Sequence, residues 1–342
     1  MERDEQINSL AVSSRERPLS RRDFVRVLSA AAAAGPGLAT AALSGLMMTQ
    51  SQRAEAAELV VAQIGKLPHV PYGRKTNMKV SRVCMSMDWN RELFAPALAV
   101  GINFIHKAGY WGTVPDEIKA LPRESYYTDT TVDNTSPGHN PDNWQEAYES
   151  VVDSLKHNGL RYYDVYRAHY GWHSVDRYRK DNVSYKAFER LKKEGLVRHF
   201  GVSQHPYPGE VSYPEIINAQ IESGLIDSMQ VWYSYGSPED WRSIFAKASQ
   251  AGIAMTAMKI NAYGRDKMGR NPQLMEQKKA PGMIGRALIR EVLTTPRADG
   301  KPIFHTCVSA LGNLQMFEEN VGAVSPKVAL RDGFTGLEAQ WS

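Results

Sequence analysis

Short apolar segments alternate with longer amphipathic segments along most of the chain, and this alternation constrains the fold more than any other feature of the sequence. Eight segments have the length and residue types of β-strands: Val80–Met87, Asn103–Lys107, Tyr126–Thr131, Tyr163–Ala168, Arg198–Ser203, Ser228–Trp232, Ala254–Lys259 and His305–Ser309. Apolar residues three or four positions apart indicate helices in four others: Asn143–His157, Ser184–Glu194, Pro238–Gln250 and Leu314–Val324. Strands and helices that alternate in this way build a parallel sheet, and eight strands are the number that closes into a barrel, so the sequence predicts an α/β fold of the (β/α)8 TIM-barrel class.

The first 56 residues have a different character from the rest of the chain. Arg21 and Arg22 lie in a Ser-Arg-Arg-x-Phe stretch, which is followed by an Ala/Gly-rich apolar run and then by the small-x-small site Ala54–Ala56. These three parts are typical of a secretory signal peptide, and the paired arginines are typical of a twin-arginine signal. We therefore expect residues 1–56 to be a signal peptide and residues 57–342 to form one barrel domain.

This reading predicts a periplasmic or otherwise exported protein, with the twin-arginine export machinery as a partner. The alternative is an uncleaved membrane anchor. Gly35, Pro36 and Gly37 interrupt the apolar run, and alanine inserts poorly into a bilayer. No stable membrane span is therefore expected after cleavage.

Charge and cysteine content narrow the function classes further. The formal net charge is +4 over 342 residues, and no Lys/Arg block follows the leader, so nucleic-acid binding is not expected. The two cysteines, Cys84 and Cys307, are too few for a disulfide scaffold or a cysteine-rich metal site. Both fall in predicted strands, so we expect two buried thiols.

Several different short motifs follow one another along the predicted barrel in a characteristic order. Gly101–Ile105 lies in the second strand region, Tyr163–Tyr166 is followed by His169, Gly201–Ser203 ends the fifth strand, and Glu318–Asn320 lies in the last helix. In order and spacing they resemble the aldo-keto reductase superfamily. The resemblance implies a barrel enzyme that reduces carbonyl groups with NADPH, using a tyrosine proton donor assisted by aspartate, lysine and histidine.

The catalytic positions depart from that pattern. The resemblance places the aspartate at His106, the tyrosine at Trp111 with Tyr110 one residue earlier, and the lysine at Thr131. Only His169 matches the family residue. The tetrad is therefore predicted to be degenerate.

His106, His169 and Tyr110 are the predicted catalytic residues. An imidazole titrates near neutral pH and can act as a general acid or base. Tyr110 would contribute its own hydroxyl group, held in position beside the substrate. Lys107 follows His106, and strand alternation leaves open whether it faces the barrel mouth or the outer helices. A metal site formed with His205 is an alternative, but the histidines lack the close spacing of metal ligands, so no metal is predicted.

The resemblance also implies NADPH or NADH contacts at six residues: Ser203, Gln204, Gln230, Lys259, Asn313 and Asn320. Gly312 stands where the family has a basic residue for the ribose phosphate, which predicts little preference for NADPH. The helix after Asn313 retains backbone N–H groups that can bind an anion. Two roles are open for Lys259: it could face the cofactor or serve the structure, or it could pair with an anionic substrate.

Taken together, these features predict an exported oxidoreductase that acts on a small-molecule substrate, either a sugar-like or a small carbonyl compound. Aromatic residues near the strand ends are compatible with sugar stacking or with packing under the loops: Trp89, Tyr110, Trp111, Tyr170, Trp172, Tyr233 and Tyr235. The alternatives are a non-redox histidine-based lyase, epimerase or hydrolase, and a binding protein on the same barrel.

Overall fold

The strands form a closed parallel barrel. The computed structural model describes residues 20, 23, 26–27, 49–108, 113–131, 143–169, 183–206, 211–234, 236–260, 284–309 and 311–328. The barrel strands are Val83–Ser86 (β3), Phe104–His106 (β4), Tyr127–Thr131 (β5), Tyr163–His169 (β6), Val197–Gln204 (β7), Ser228–Trp232 (β8), Ala254–Met258 (β9) and Thr306–Val308 (β10). They are ordered as in the sequence, and β10 pairs with β3 to close the ring. The predicted (β/α)8 fold is confirmed.

A short antiparallel hairpin precedes the barrel. His69–Pro71 (β1) pairs with Lys79–Ser81 (β2), with Val70 opposite Val80. The predicted strand Val80–Met87 is therefore wrong as a single element. The Ser81 hydroxyl donates to the carbonyl oxygen of Val83 at 2.8 Å, and this local bond accompanies the break between the hairpin and β3.

Helices alternate with the barrel strands, and their ends follow the capping residues of the sequence. In the described ranges they are Gln50–Ile64 (α1), Phe94–Val100 (α2), Asp116–Lys119 (α3), Trp144–Asn158 (α4), Val183–Lys193 (α5), Tyr213–Glu222 (α6), Glu239–Gln250 (α7), Ile284–Thr294 (α8) and Leu314–Gly322 (α9), with 3₁₀ turns at Arg91–Leu93 and Arg123–Ser125. Asn143 caps α4 by accepting from the Glu146 amide at 2.9 Å, and Gly159 ends it with φ 64°. The four predicted helices are confirmed to within two residues at each end.

The helix α1 packs on the barrel domain. Thr49 and Gln52 form a capping box at its start, and Ala56, Val60 and Ile64 are buried. The predicted boundary between the signal peptide and the barrel domain, after Ala56, lies inside this helix. That boundary stays a prediction. Within the described ranges, no helix is long and apolar enough to cross a membrane.

The barrel interior combines apolar packing with a buried polar layer. Cys84 and Cys307 are buried free thiols on the adjacent strands β3 and β10, as expected from the sequence. Gly201 on β7 lies so close to β8 that an added Cβ would sit 2.5 Å from Ser228 Oγ. The missing side chain leaves room for the Ser228 hydroxyl, which belongs to the polar layer described next.

Candidate active site

His106 is the last residue of β4, and its ring points into the barrel. It is 1% exposed, and its Nδ1 lies 2.9 Å from Asp129 Oδ1 on the neighbouring strand β5. An ionised carboxylate only accepts hydrogen bonds, so Nδ1 carries the proton. In the neutral ring, Nε2 is then an acceptor. The carboxylate therefore fixes the tautomer of His106.

Asp129 is buried and ionised. Besides the His106 bond, it accepts from the Lys107 backbone amide at 2.7 Å and from Arg167 Nε at 2.8 Å. Burial by itself would raise the pKa of Asp129, but the Arg167 cation and the hydrogen bonds from His106 and Arg167 outweigh it and hold the pKa well below its usual range. The negative charge that orients His106 is therefore maintained at neutral pH.

The same surroundings keep His106 neutral. Burial lowers the pKa of its imidazole, and the cations of Lys107 and Arg167 lower it further, whereas Asp129 opposes them without reversing the net direction. With the proton on Nδ1 directed at Asp129, His106 presents an acceptor nitrogen to the interior. This arrangement suits a positioning group better than a proton donor.

Gln230 on β8 donates to this His106 nitrogen through its side-chain amide. Its Nε2 lies 3.2 Å from His106 Nε2 and 3.4 Å from Met258 Sδ, so the amide NH₂ faces these two groups. Its Oε1 is buried and has no hydrogen-bond partner within the described part of the chain. A buried acceptor left unpaired costs roughly 1–3 kcal/mol. A ligand that brings an N–H or O–H donor would recover that cost.

Arg167 on β6 extends the polar layer toward the hairpin end of the barrel. It donates to Ser228 Oγ at 3.1 Å and to the Tyr72 hydroxyl at 2.8 Å, and Tyr72 lies 2.6 Å from Thr256 Oγ1. Arg167 is completely buried. The guanidinium and the Asp129 carboxylate therefore form a buried ion pair in the centre of the barrel.

Sequence reasoning missed this ion pair, although a signal for it existed. Asp129 lies two residues before Thr131, and Arg167 lies two residues before His169. Residues two apart on a strand share a face, so Asp129 and Arg167 were expected to face the same way as Thr131 and His169, the catalytic positions that the resemblance implies. A charged residue in an inward-facing position of a barrel strand is the indicator to search for.

Lys107 and Lys259 lie over the barrel mouth, the end where the carboxyl ends of the strands open. They follow β4 and β9, which are separated by β10 and β3 in the barrel. Burial lowers the pKa of Lys107 to about 8, and the nearby Lys259 charge adds to the effect, whereas Asp88 and Asp129 oppose it. Side chains from strands so far apart approach each other only across the mouth. Lys107 is therefore turned toward the mouth, which strand alternation could not decide.

The other predicted catalytic positions are only partly described. The His169 backbone pairs with Ser203, and Ser203 pairs with Gln230, so these three positions lie side by side on β6, β7 and β8. The His169 side chain lies outside the described part of the structure, as does Tyr110. His205, just beyond β7, packs edge-on against Trp232 with ring centroids 5.7 Å apart.

Two predicted cofactor residues have side chains bonded to neighbouring protein groups. Gln204 donates to the His205 carbonyl oxygen at 3.0 Å and accepts from Gln220 at 2.9 Å. Asn313 caps α9 by accepting from the Met316 amide at 2.9 Å. Both amides therefore have structural tasks in this conformation.

Ser203 and Asn320 are buried, and the Asn320 amide donates to Ser309 Oγ at 2.7 Å. Residues 311–315, at the start of α9, include no basic side chain. The backbone N–H groups of that helix remain the anion-binding element there.

Two of the aromatic residues near the strand ends belong to the core. Trp89 is buried and donates to the Ser309 carbonyl oxygen at 2.6 Å, and the Tyr233 ring lies 4.9 Å from that of Phe304. The others lie outside the described residues: Tyr110, Trp111, Tyr170, Trp172 and Tyr235. Over the ranges the structure covers, no three His, Cys, Asp or Glu side chains are grouped to hold a metal ion.

Residues 80–317 match the model of the Aldo/keto reductase family. A putative aldo-keto reductase from Pseudomonas aeruginosa covers 78% of this chain over 98% of its own, with 17% identity and a TM-score of 0.58. The holo form of an aldo-keto reductase from Bacillus halodurans covers 80% over 96% of its own, with 18% identity and a TM-score of 0.57. A thermostable aldo-keto reductase in complex with the inhibitor epalrestat covers 80% over 99%, with 18% identity and a TM-score of 0.58. No curated protein matches the chain. At these identities the structural likeness shows the fold alone.

Proposed function

The chain belongs to the aldo/keto reductase family, and we propose that it is an exported enzyme that reduces the carbonyl group of a small, sugar-like compound with NADPH or NADH. Family membership implies oxidoreductase activity and favours this function over the non-redox alternatives. The observation that carries the proposal is the unpaired Gln230 Oε1 in the buried polar layer. Asp129 and His106 together determine which atom of the Gln230 amide remains available.

The residues fit a nicotinamide group at one end of the site. A nicotinamide carboxamide has N–H donors, and Gln230 Oε1 is a buried acceptor without a partner in the described residues. Ser203 is the neighbouring position on β7. When bound, the cofactor supplies a hydride to the carbonyl carbon. The chain's own contribution here is to hold and orient the carboxamide.

The phosphate end of the site fits a nucleotide without selecting NADPH. The start of α9 offers backbone N–H groups, and Gly312 carries no side chain that could pair with a 2′-phosphate. Asn313 secures this helix start through its capping bond. The proposed cofactor contacts are therefore mainly from the backbone at this end.

We assign the proton transfer to His169. Reduction of a carbonyl leaves an oxygen that must gain a proton, and an imidazole near neutral pH supplies one. The backbone of His169 lies in register with Ser203, next to Gln230. His106 acts as a positioning residue through Gln230, and Tyr110 would supply a hydroxyl at the mouth.

Turnover and cofactor preference are expected together in one assay. Purified protein is mixed with NADH or NADPH and a panel of aldoses, ketoses and small aldehydes, and nucleotide oxidation is followed by absorbance. At least one carbonyl compound should be reduced, with affinities for the two nucleotides within tenfold of each other. The proposal would be contradicted if no carbonyl compound in the panel increased the rate of nucleotide oxidation. A hundredfold preference for NADPH (about 2.7 kcal/mol) would contradict the predicted cofactor use.

Export through the twin-arginine route is proposed from residues 1–56. Replacing Arg21 and Arg22 with lysine should leave the precursor in the cytoplasm, because the receptor reads the arginine pair. Arg26→Lys, the same substitution just downstream, should leave export unchanged. Immunoblots of periplasmic and cytoplasmic fractions measure the outcome, and the N-terminus of the exported form tests the boundary after Ala56. Periplasmic protein from the double variant would contradict the twin-arginine assignment.

A further inference from the structure

Lys107 and Lys259 share an unusual backbone conformation. Both have φ 59°, and they are the non-glycine residues with positive φ in the described part of the chain. Such conformations are costly for residues with a Cβ, and they cluster at ligand sites, where the surrounding structure enforces them. For Lys107 the enforcing contact is its backbone amide bond to Asp129 Oδ1, 2.7 Å long. The chain therefore redirects a lysine toward the mouth at the end of each of two strands.

The two ammonium groups interact across the mouth. Lys107 is half-buried and Lys259 is exposed, and the charge of Lys259 lowers the pKa of Lys107. Among the described residues, the charged groups near Lys107 are Lys259, exposed Asp88, and Asp129, whose carboxylate accepts from His106, Arg167 and the Lys107 amide. Like charges brought together in a partly desolvated site repel each other. An anion placed between them would convert this repulsion into attraction.

We propose that Lys107 and Lys259 bind a carboxylate or phosphate group at the mouth of the barrel, so that the carbonyl substrate is an anionic one such as a sugar acid. Lysine is well suited to this task because its ammonium is a compact point charge with three donors. The anionic substrate rests on the proposed function, but the anion site itself does not. The phosphates of the nucleotide are also anions that the two lysines can bind, so the experiment must distinguish them from an anionic group of the substrate.

Calorimetric titration of the full chain without nucleotide tests the site. The probes are glucuronate, which carries an aldehyde and a carboxylate, its neutral counterpart glucose, and inorganic phosphate. Wild-type protein should bind glucuronate at least tenfold more tightly than glucose. Lys107→Gln and Lys259→Gln should each weaken glucuronate binding about tenfold. Lys156→Gln is the matched control: Lys156 is 72% exposed in the last turn of α4, and its loss should change nothing.

The charge of Lys107 gives a second readout. Because the anion binds the ammonium form, glucuronate affinity of the wild type should fall as pH rises through about 8, the lowered pKa of Lys107. Lys107 faces Asp88, Asp129, His106 and Lys259, so the comparison must isolate its own titration. Lys107→Arg retains the charge throughout this range and should keep its affinity. This variant also keeps the test valid if Lys107→Gln does not fold.

Each outcome decides the proposal. Failure of glucuronate and phosphate to bind wild-type protein at millimolar concentrations overturns it, as does binding that neither glutamine variant weakens. If glucuronate does not bind, and a separate titration with NADH and NADPH shows that both glutamine variants bind the nucleotides more weakly, the anion is the cofactor's phosphate and the anionic substrate class is wrong. Loss of glucuronate binding alone supports the substrate as the source. Because this titration contains no nucleotide, its failure leaves the proposed reduction to be judged by its own assay.

Discussion

Replacing His169 with alanine is expected to lower turnover by about 10²–10⁴-fold, the usual contribution of general acid–base catalysis. The reason is that His169 ends β6 beside Ser203 and Gln230, and we propose it as the residue that transfers the proton. His106→Ala should lower turnover by a similar factor through a different route. Without the His106 acceptor, the Gln230 amide can rotate and lose its orientation toward the nicotinamide.

The two roles are separable by measurement. His169→Ala should change kcat and remove one limb of its pH profile while nucleotide affinity stays near that of the wild type. His106→Ala should weaken nucleotide binding as well, because its effect passes through Gln230. His157→Ala removes an exposed imidazole whose partner is Thr113, and it should leave turnover unchanged. If both His106→Ala and His169→Ala turn over within a few-fold of the wild type, the chemistry lies elsewhere in the molecule.

Replacing Asp129 with leucine is expected to lower the free energy of unfolding by about 3–5 kcal/mol, the usual cost of breaking a buried ion pair from one side. The variant leaves the fully buried Arg167 guanidinium without its carboxylate partner and removes the acceptor for His106 Nδ1. Urea denaturation followed by circular dichroism measures the change.

The double variant Asp129→Leu with Arg167→Met is the control for the ion pair. It removes both charges and should recover a substantial part of the lost stability. Glu117→Gln breaks the exposed pair with Arg91 and should leave the denaturation midpoint unchanged, because exposed pairs are screened by water. A loss below about 1 kcal/mol for Asp129→Leu would show that the buried pair does not hold the barrel interior together.

Acid provides an independent check on Asp129. Its pKa is depressed in the folded state, so its stabilising contribution is fully present above the unfolded value of about 3.9 and is lost as pH falls toward the folded value. The wild type should therefore lose stability below about pH 4 more steeply than Asp129→Leu does. Equal acid dependence of the two proteins would contradict the ionised state of the carboxylate.

The barrel could be predicted because strand and helix periodicity are local properties of the sequence. Ser228–Trp232 matches its predicted bounds, since both faces of a strand in a barrel are buried and the apolar run ends where burial ends. The prediction of one strand over Val80–Met87 was wrong because the two halves of this segment have similar hydropathy but pair with different strands. The antiparallel partner His69–Pro71 is recognisable only when the register is known.

The site was harder to predict because its contacts join distant strands. The direction of Lys107 depends on the left-handed turn at the end of β4, which alternation along a strand does not encode. Gln204 follows the family pattern by position, yet its amide is bonded to Gln220 on α6. Gln230 was identified by resemblance, and its availability became evident only from the Asp129–His106 chain that orients it.

Nucleotide binding tests most directly whether Gln230 holds a nicotinamide cofactor in this barrel. Purified protein is titrated with NADH and with NADPH, and nicotinamide fluorescence reports the bound fraction for the wild type and for Gln230→Leu. Both nucleotides should bind saturably to the wild type and at least tenfold more weakly to Gln230→Leu, which loses the acceptor oxygen. Absence of saturable binding of either nucleotide to the folded wild type would contradict the assignment of a nicotinamide-dependent reductase.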